Sequence, residues 1–143
     1  MDGGTMDEKY LYALAELDNL RKRTAKDIAT TREEVKRETL LLLLPIVDDL
    51  ERCVTALQNG ADADATRAGI LAIAGKARQT LASLDVEAIE SVGKPFAAEL
   101  MEAIAKVATK SLPPNHVSME VQRGYKIGGD LLRPAQVAVT EEE

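Results

Sequence analysis

The chain has 143 residues, 45% of them hydrophobic but only 3% aromatic, and its 24 acidic and 18 basic side chains leave a net charge of −6. That acidity argues against general attraction to nucleic acid or an anionic membrane surface, and the scarcity of aromatics favours helices packed on Leu, Ile, Val and Ala over an aromatic β core. The single cysteine, Cys53, cannot close an internal disulfide, and no cleavable signal or transit pattern precedes the first apolar residues, so a reducing, cytoplasmic setting is expected.

Residues 1–12 read as a short flexible tail. From Ala13 an eleven-residue repeat places Ala13, Leu17, Leu20, Thr24, Ile28, Thr31, Val35, Thr39, Leu42, Ile46, Leu50, Cys53 and Leu57 on one row that carries no charge. A heptad register through the same segment would bring Arg21 and Glu38 onto the seam, which is poor coiled-coil chemistry. Eleven residues in three turns is about 3.67 per turn, so two such helices would lie nearly straight or coil weakly to the right. Up to residue 39 the remaining faces are charged, and the narrow row needs one covering helix. A second copy of the chain, in parallel, is the simplest cover. Residues 13–39 are therefore expected as a coiled-coil-like stalk, with Leu17, Leu20, Ile28, Val35, Leu42, Ile46, Leu50, Cys53 and Leu57 at a homodimer interface. The three threonines on the row predict a marginally stable seam.

Residues 40–47, five leucines followed by Pro45, Ile46 and Val47, are too few to span a bilayer, which takes roughly 20 apolar positions. The row stays in phase across Pro45, so the proline is expected within the helix or at a bend. Its cost of about 3 kcal/mol is offset by leucines worth roughly 1.5–3 kcal/mol each when buried. Five successive leucines point around the whole circumference, which calls for neighbours on several sides. After a loop at Asn59 and Gly60, a second helix starting near Asp64 or Thr66 supplies them through Ile70, Ala74, Ala77, Leu81 and Leu84. Gly69 and Gly75 are expected to permit close helix approach. Residues 40–85 would thus form the dimerisation region, a four-helix bundle built from two chains.

From residue 86 the pattern shortens. Runs at 86–89, 104–107, 117–121, 125–127 and 137–139 are separated by Gly and Pro, with a hairpin signal at Gly128-Gly129-Asp130 and a short turn near 97–101. Residues 86–140 read as a small all-β domain and 141–143 as an acidic tail. The fold class is accordingly α+β: a long paired N-terminal helix, a bundle at the dimer interface and a C-terminal β domain.

Little here supports catalysis. The one histidine, His116, lies in a Pro-rich loop without a ligand set, and no nucleophile sits beside a base, so neither a catalytic centre, a metal nor a cofactor is expected. Asp48, Asp49 and Glu51 diverge around a helix and cannot easily converge on one ion. Gly128-Gly129 is not followed by a helix N-terminus, so the hairpin reading is preferred to a phosphate loop. Taken alone, Arg21-Lys22-Arg23 is an ordinary solvated helix face.

In their order and spacing, Asn19-Leu20-Arg21-Lys22-Arg23, Leu43-Leu44-Pro45-Ile46-Val47-Asp48-Asp49-Leu50-Glu51-Arg52, Gly93-Lys94-Pro95-Phe96, Gly124-Tyr125-Lys126-Ile127 and Leu132-Arg133-Pro134-Ala135-Gln136-Val137 resemble GrpE, the nucleotide exchange factor of DnaK-type chaperones. The resemblance covers about residues 10–140. It implies a homodimer that binds the chaperone's ATPase domain, opens its nucleotide cleft and promotes ADP release. It also implies chaperone-contacting roles for Arg21, Lys22, Arg23, Arg52, Val121, Gly124 and Val139, and a packing role for Gly69. Ala97-Ala98 stands where the family usually has Asp-Pro, and Met101 where it has His. The rival expectation is a structural coiled-coil dimer that presents its β domain to an unrelated protein.

Overall fold

A computed structural model describes residues 4–141. The chain divides into two compact units at Gly60 and Ala61, the first helical and the second mixed. An α+β architecture is what the sequence pattern leads one to expect.

The first unit is one helix, α1, Met6–Gln58. It begins inside the segment expected as a tail because Thr5 forms a capping box. The Thr5 hydroxyl accepts from Glu8 N at 3.3 Å, and Glu8 Oε2 accepts from Thr5 N at 2.9 Å, so two otherwise orphaned donors are satisfied. Residues 1–3 of that expected tail lie outside the described residues. With 53 residues, α1 is about 80 Å long at ~1.5 Å per residue.

Pro45 sits inside α1 without ending it. It has no N–H to give to the carbonyl four residues earlier, so the helix carries that loss in mid-course. Thr39, on the apolar row, donates its hydroxyl to Val35 O at 2.8 Å. A seam threonine therefore arrives with its polar group already bonded, which lowers the expected cost of placing it there. Asn59 caps the end, and Gly60 turns the chain at φ +80°, a left-handed value that glycine adopts without a Cβ penalty.

The second unit opens with α2, Ala63–Ser83, whose N-cap Asp62 accepts from Ala65 N at 3.4 Å. Ala74, Ala77, Leu81 and Leu84 on its expected face are half-buried, whereas Ile70 is exposed. A Cβ added at Gly75 would meet no atom within 4 Å, so no close approach occurs at that glycine within this chain. Asp85 then turns at φ +58°, and its carbonyl accepts from Gly128 N at 3.0 Å, fastening the helix end to a hairpin tip.

Six strands follow: β1 Val86–Ala88, β2 Met101–Ala108, β3 Val117–Gln122, β4 Tyr125–Ile127, β5 Asp130–Arg133 and β6 Ala135–Glu141. They form two three-stranded sheets, ordered β1-β4-β5 and β2-β6-β3, and only the β2–β6 pairing is parallel. Gly128 and Gly129, both at positive φ, close the β4–β5 hairpin between the paired residues Ile127 and Asp130. β5 is a strand that the runs of apolar residues did not mark, since Leu131 and Leu132 are adjacent rather than alternating. The turn near 97–101 is present, with Leu100 N and Met101 N donating to Ala97 O at 3.0 and 2.9 Å. Glu141 pairs with Ala108 as the last residue of β6, so the strand takes in the first residue expected in the acidic tail, and 142–143 lie outside the described residues.

The core of this unit is small and aliphatic. Met101, Val117, Ala135, Val137 and Val139 form it, with Phe96, Ala97 and Leu100 packed alongside. β6 is its central strand, hydrogen-bonded along both edges, and Val137, Ala138, Val139 and Thr140 are buried in succession. Thr140 also holds the loop before β3: His116 N donates to its hydroxyl at 2.9 Å, which in turn donates to Pro113 O at 2.5 Å. That accounts for His116, a half-buried residue whose backbone closes a loop.

Candidate functional site

The apolar row of α1 is open. Leu17, Leu20, Ile28, Val35, Leu42, Leu50 and Leu57 keep between 41% and 59% of their surface in solvent, Ile46 and Cys53 are half-buried, and α1 contains no buried residue. Leucines 40–44 are likewise all exposed. So long a row of uncovered aliphatics exceeds the scattered apolar exposure normal for a soluble surface and marks a face made to be covered.

The basic residues flank that row. Lys22 Nζ lies 2.6 Å from Asp18 Oδ2, an exposed pair one helical turn apart that contributes little to stability. Arg52 pairs with Asp49, whose carboxylate is largely covered while the Arg52 side chain is 72% exposed. Arg21, Lys22, Arg23 and Arg52 thus all reach solvent from a rigid helix.

The three expected positions of the β unit differ in kind. Val121, near the end of edge strand β3, is 55% exposed beside exposed Met119 and presents a side chain to any partner. Gly124 is buried, and a Cβ there would lie 2.5 Å from Ala135 N and 2.9 Å from Ile89 Cδ1. Its carbonyl accepts from Ile89 N at 2.8 Å. Val139 is 6% exposed and belongs to the core. Period-two alternation already put Val137 and Val139 on one face, but which face is inward depends on the neighbouring strands.

Two polar arrangements lay outside the sequence-based selection. Ser91, buried, donates to Glu120 Oε2 at 2.5 Å, and Glu120 Oε1 lies 3.6 Å from Arg123 Nε, which joins the loop after β1 to β3. On the β1-β4-β5 sheet, Arg133 Nε donates to Arg123 O at 3.0 Å, and its guanidinium carbon sits 5.4 Å from the centre of the Tyr125 ring. Spacing along the chain carries no signal for either, because each joins residues brought together by strand pairing. Among the described residues no group of three or more His, Cys, Asp or Glu side chains could hold a metal ion, and no helix is long and apolar enough to cross a membrane.

A capped 53-residue helix with an uncovered apolar row, and a small β domain whose exposed edges carry apolar and basic side chains, define a class of protein built for contact with other chains. The chain belongs to the GrpE family, whose family model matches residues 4–141. It is 32% identical over 136 residues to Protein GrpE of Parageobacillus thermoglucosidasius, covering 95% of this chain and 61% of that protein. With Protein GrpE of Thermus thermophilus it shares 35% over 138 residues, 96% of this chain and 75% of the relative. With that of Actinobacillus pleuropneumoniae serotype 7 it shares 36% over 132 residues, 90% and 67% of the two chains.

Proposed function

We propose that this protein is a cytoplasmic co-chaperone that acts as a homodimer on the ATPase domain of a DnaK-type chaperone, opens the nucleotide cleft and promotes ADP release. The observation that carries the reading is family membership across residues 4–141 in a chain whose long helix leaves its apolar row uncovered. In the dimer the two rows cover each other in parallel, and α2 of each chain completes a four-helix bundle around leucines 40–44. Arg21, Lys22, Arg23 and Arg52 contact the chaperone from the helix and Val121 from the β unit, while Gly124 and Val139 shape that unit from within.

No covalent bond is made or broken in this action, so no catalytic residue and no cofactor are required. The factor binds the open cleft more tightly than the closed one and ADP does the reverse. Each therefore weakens the other's affinity by the same factor, a consequence of linkage. The test is release of a fluorescent ADP analogue from the chaperone: acceleration that saturates with added protein supports exchange. No acceleration at saturation, together with an intact dimer, would leave a structural coiled-coil protein that displays its β domain to another partner.

A further inference from the structure

We propose that Arg133 is a pre-oriented anchor for a carboxylate on the chaperone's ATPase domain, an inference that rests on the exchange-factor reading above. All four residues of β5 are exposed, and β5 is an edge strand of its sheet. Tyr125 stands directly opposite Arg133 in the β4–β5 ladder, so strand pairing itself places the ring beneath the guanidinium. The Arg123 carbonyl takes the Nε proton at 3.0 Å. The side chain is held at its base and along its flat face, leaving the two Nη groups, which have no partner among the described residues. An arginine restrained in this way has already lost much of the freedom that binding would cost it, and its planar fork matches a carboxylate with two parallel hydrogen bonds.

The surroundings favour an acidic protein surface. Residues 123–133 carry Arg123, Lys126 and Arg133 against Asp130 alone, a basic stretch in a chain of net charge −6. Exposed Ile127, Leu131 and Leu132 lie on the same hairpin and offer apolar contact next to the charge. Other basic residues of the β unit are differently placed: Lys94 lies 3.9 Å from Glu90, Lys106 4.0 Å from Glu141 and Arg123 3.6 Å from Glu120. An arginine with a carboxylate partner, ringed by apolar side chains, is the composition that binding hot spots favour.

The test compares the full-length protein with Arg133→Ala, Arg133→Gln and Arg133→Lys for binding to nucleotide-free ATPase domain, so that no nucleotide phosphate competes as the anion. Glutamine can still donate to the Arg123 carbonyl but carries no charge, and lysine keeps the charge but not the fork. Kd is expected to rise about 10-fold or more for the alanine and glutamine variants and less for lysine, with a shallower dependence on salt for the two neutral ones. Glutamine binding within twofold of wild type would overturn the proposal, since it would mean that Arg133 serves only to hold the Arg123 carbonyl. Should the alanine variant unfold, the glutamine and lysine variants still decide the matter through the same measurement. Failure of the wild-type chain to bind the ATPase domain is a separate result: it refutes the exchange-factor reading, and the anchor falls with it.

Discussion

The two units solve the problem of apolar surface in opposite ways. Every buried residue among those described lies between Val86 and Thr140, where six short strands enclose a core of valines, alanines and a methionine. Helix α1 has no buried residue at all, although it carries a long row of large aliphatic side chains. The β unit encloses a core within one chain, although Val121, Ile127, Leu131 and Leu132 stay exposed. The helix satisfies its backbone within one chain and leaves its apolar side chains exposed. A long helix gains local hydrogen bonds cheaply once nucleated, but its stability in water comes chiefly from packing an apolar face. An uncovered row of this length is what the proposed homodimer would cover.

That contrast can be broken most forcefully from the β side. Val139→Asp places a carboxylate at a position 6% exposed, within the core cluster, and is expected to cost about 4 kcal/mol or more. Circular dichroism and NMR should show the strands lost and the helical signal retained. Loss of the helical signal as well would mean that the helix depends on the β core. Such a variant is a lesion of folding, so the proposed contact face is better probed at exposed Val121.

Leu42→Asp attacks the helical side. Charging both copies of a row position should remove roughly 3 kcal/mol or more from a dimer and shift its sedimentation to monomer, with the β core unchanged. In the wild type, mild oxidation should cross-link Cys53 to the Cys53 of a second chain, since a parallel, in-register pair brings the two thiols together. An antiparallel pair would give no such cross-link and would require a different account of the row.

Smaller effects sharpen the picture. Pro45→Ala restores a backbone donor inside α1 and should stabilise the helical transition by about 1–3 kcal/mol in calorimetry. No change would show that the restored donor adds nothing to the stability of α1. Thr5→Ala removes one half of the capping box and should cost about 1 kcal/mol, read as fraying of the first turn by hydrogen exchange.

Much of this was legible in the sequence because it rests on local rules. Helical periodicity, the unbroken phase across Pro45, the Gly128-Gly129 hairpin and most β runs follow from spacing and turn chemistry within a few residues. The start of α1 was less visible: Thr5 and Glu8 carry the capping box, but Gly3 and Gly4 beside them read as tail. β5 escaped because Leu131 and Leu132 do not alternate, and its pairing with β4 contains a register shift at Tyr125 and Lys126.

The sequence by itself determined where the chain is helical, where it turns to strands, and that one row of α1 must find a cover, since backbone hydrogen bonding and periodicity are properties of neighbouring residues. Only the tertiary structure decided that Val139 and Gly124 lie inside while Val121 lies outside, and that Arg133 rests on Tyr125 beneath the carbonyl of Arg123. Those facts depend on which strands become neighbours and in what register. Pairing of strands far apart in sequence sets the register of Val139, and a register shift in the β4–β5 hairpin sets that of Arg133, so alternation along the chain reveals neither.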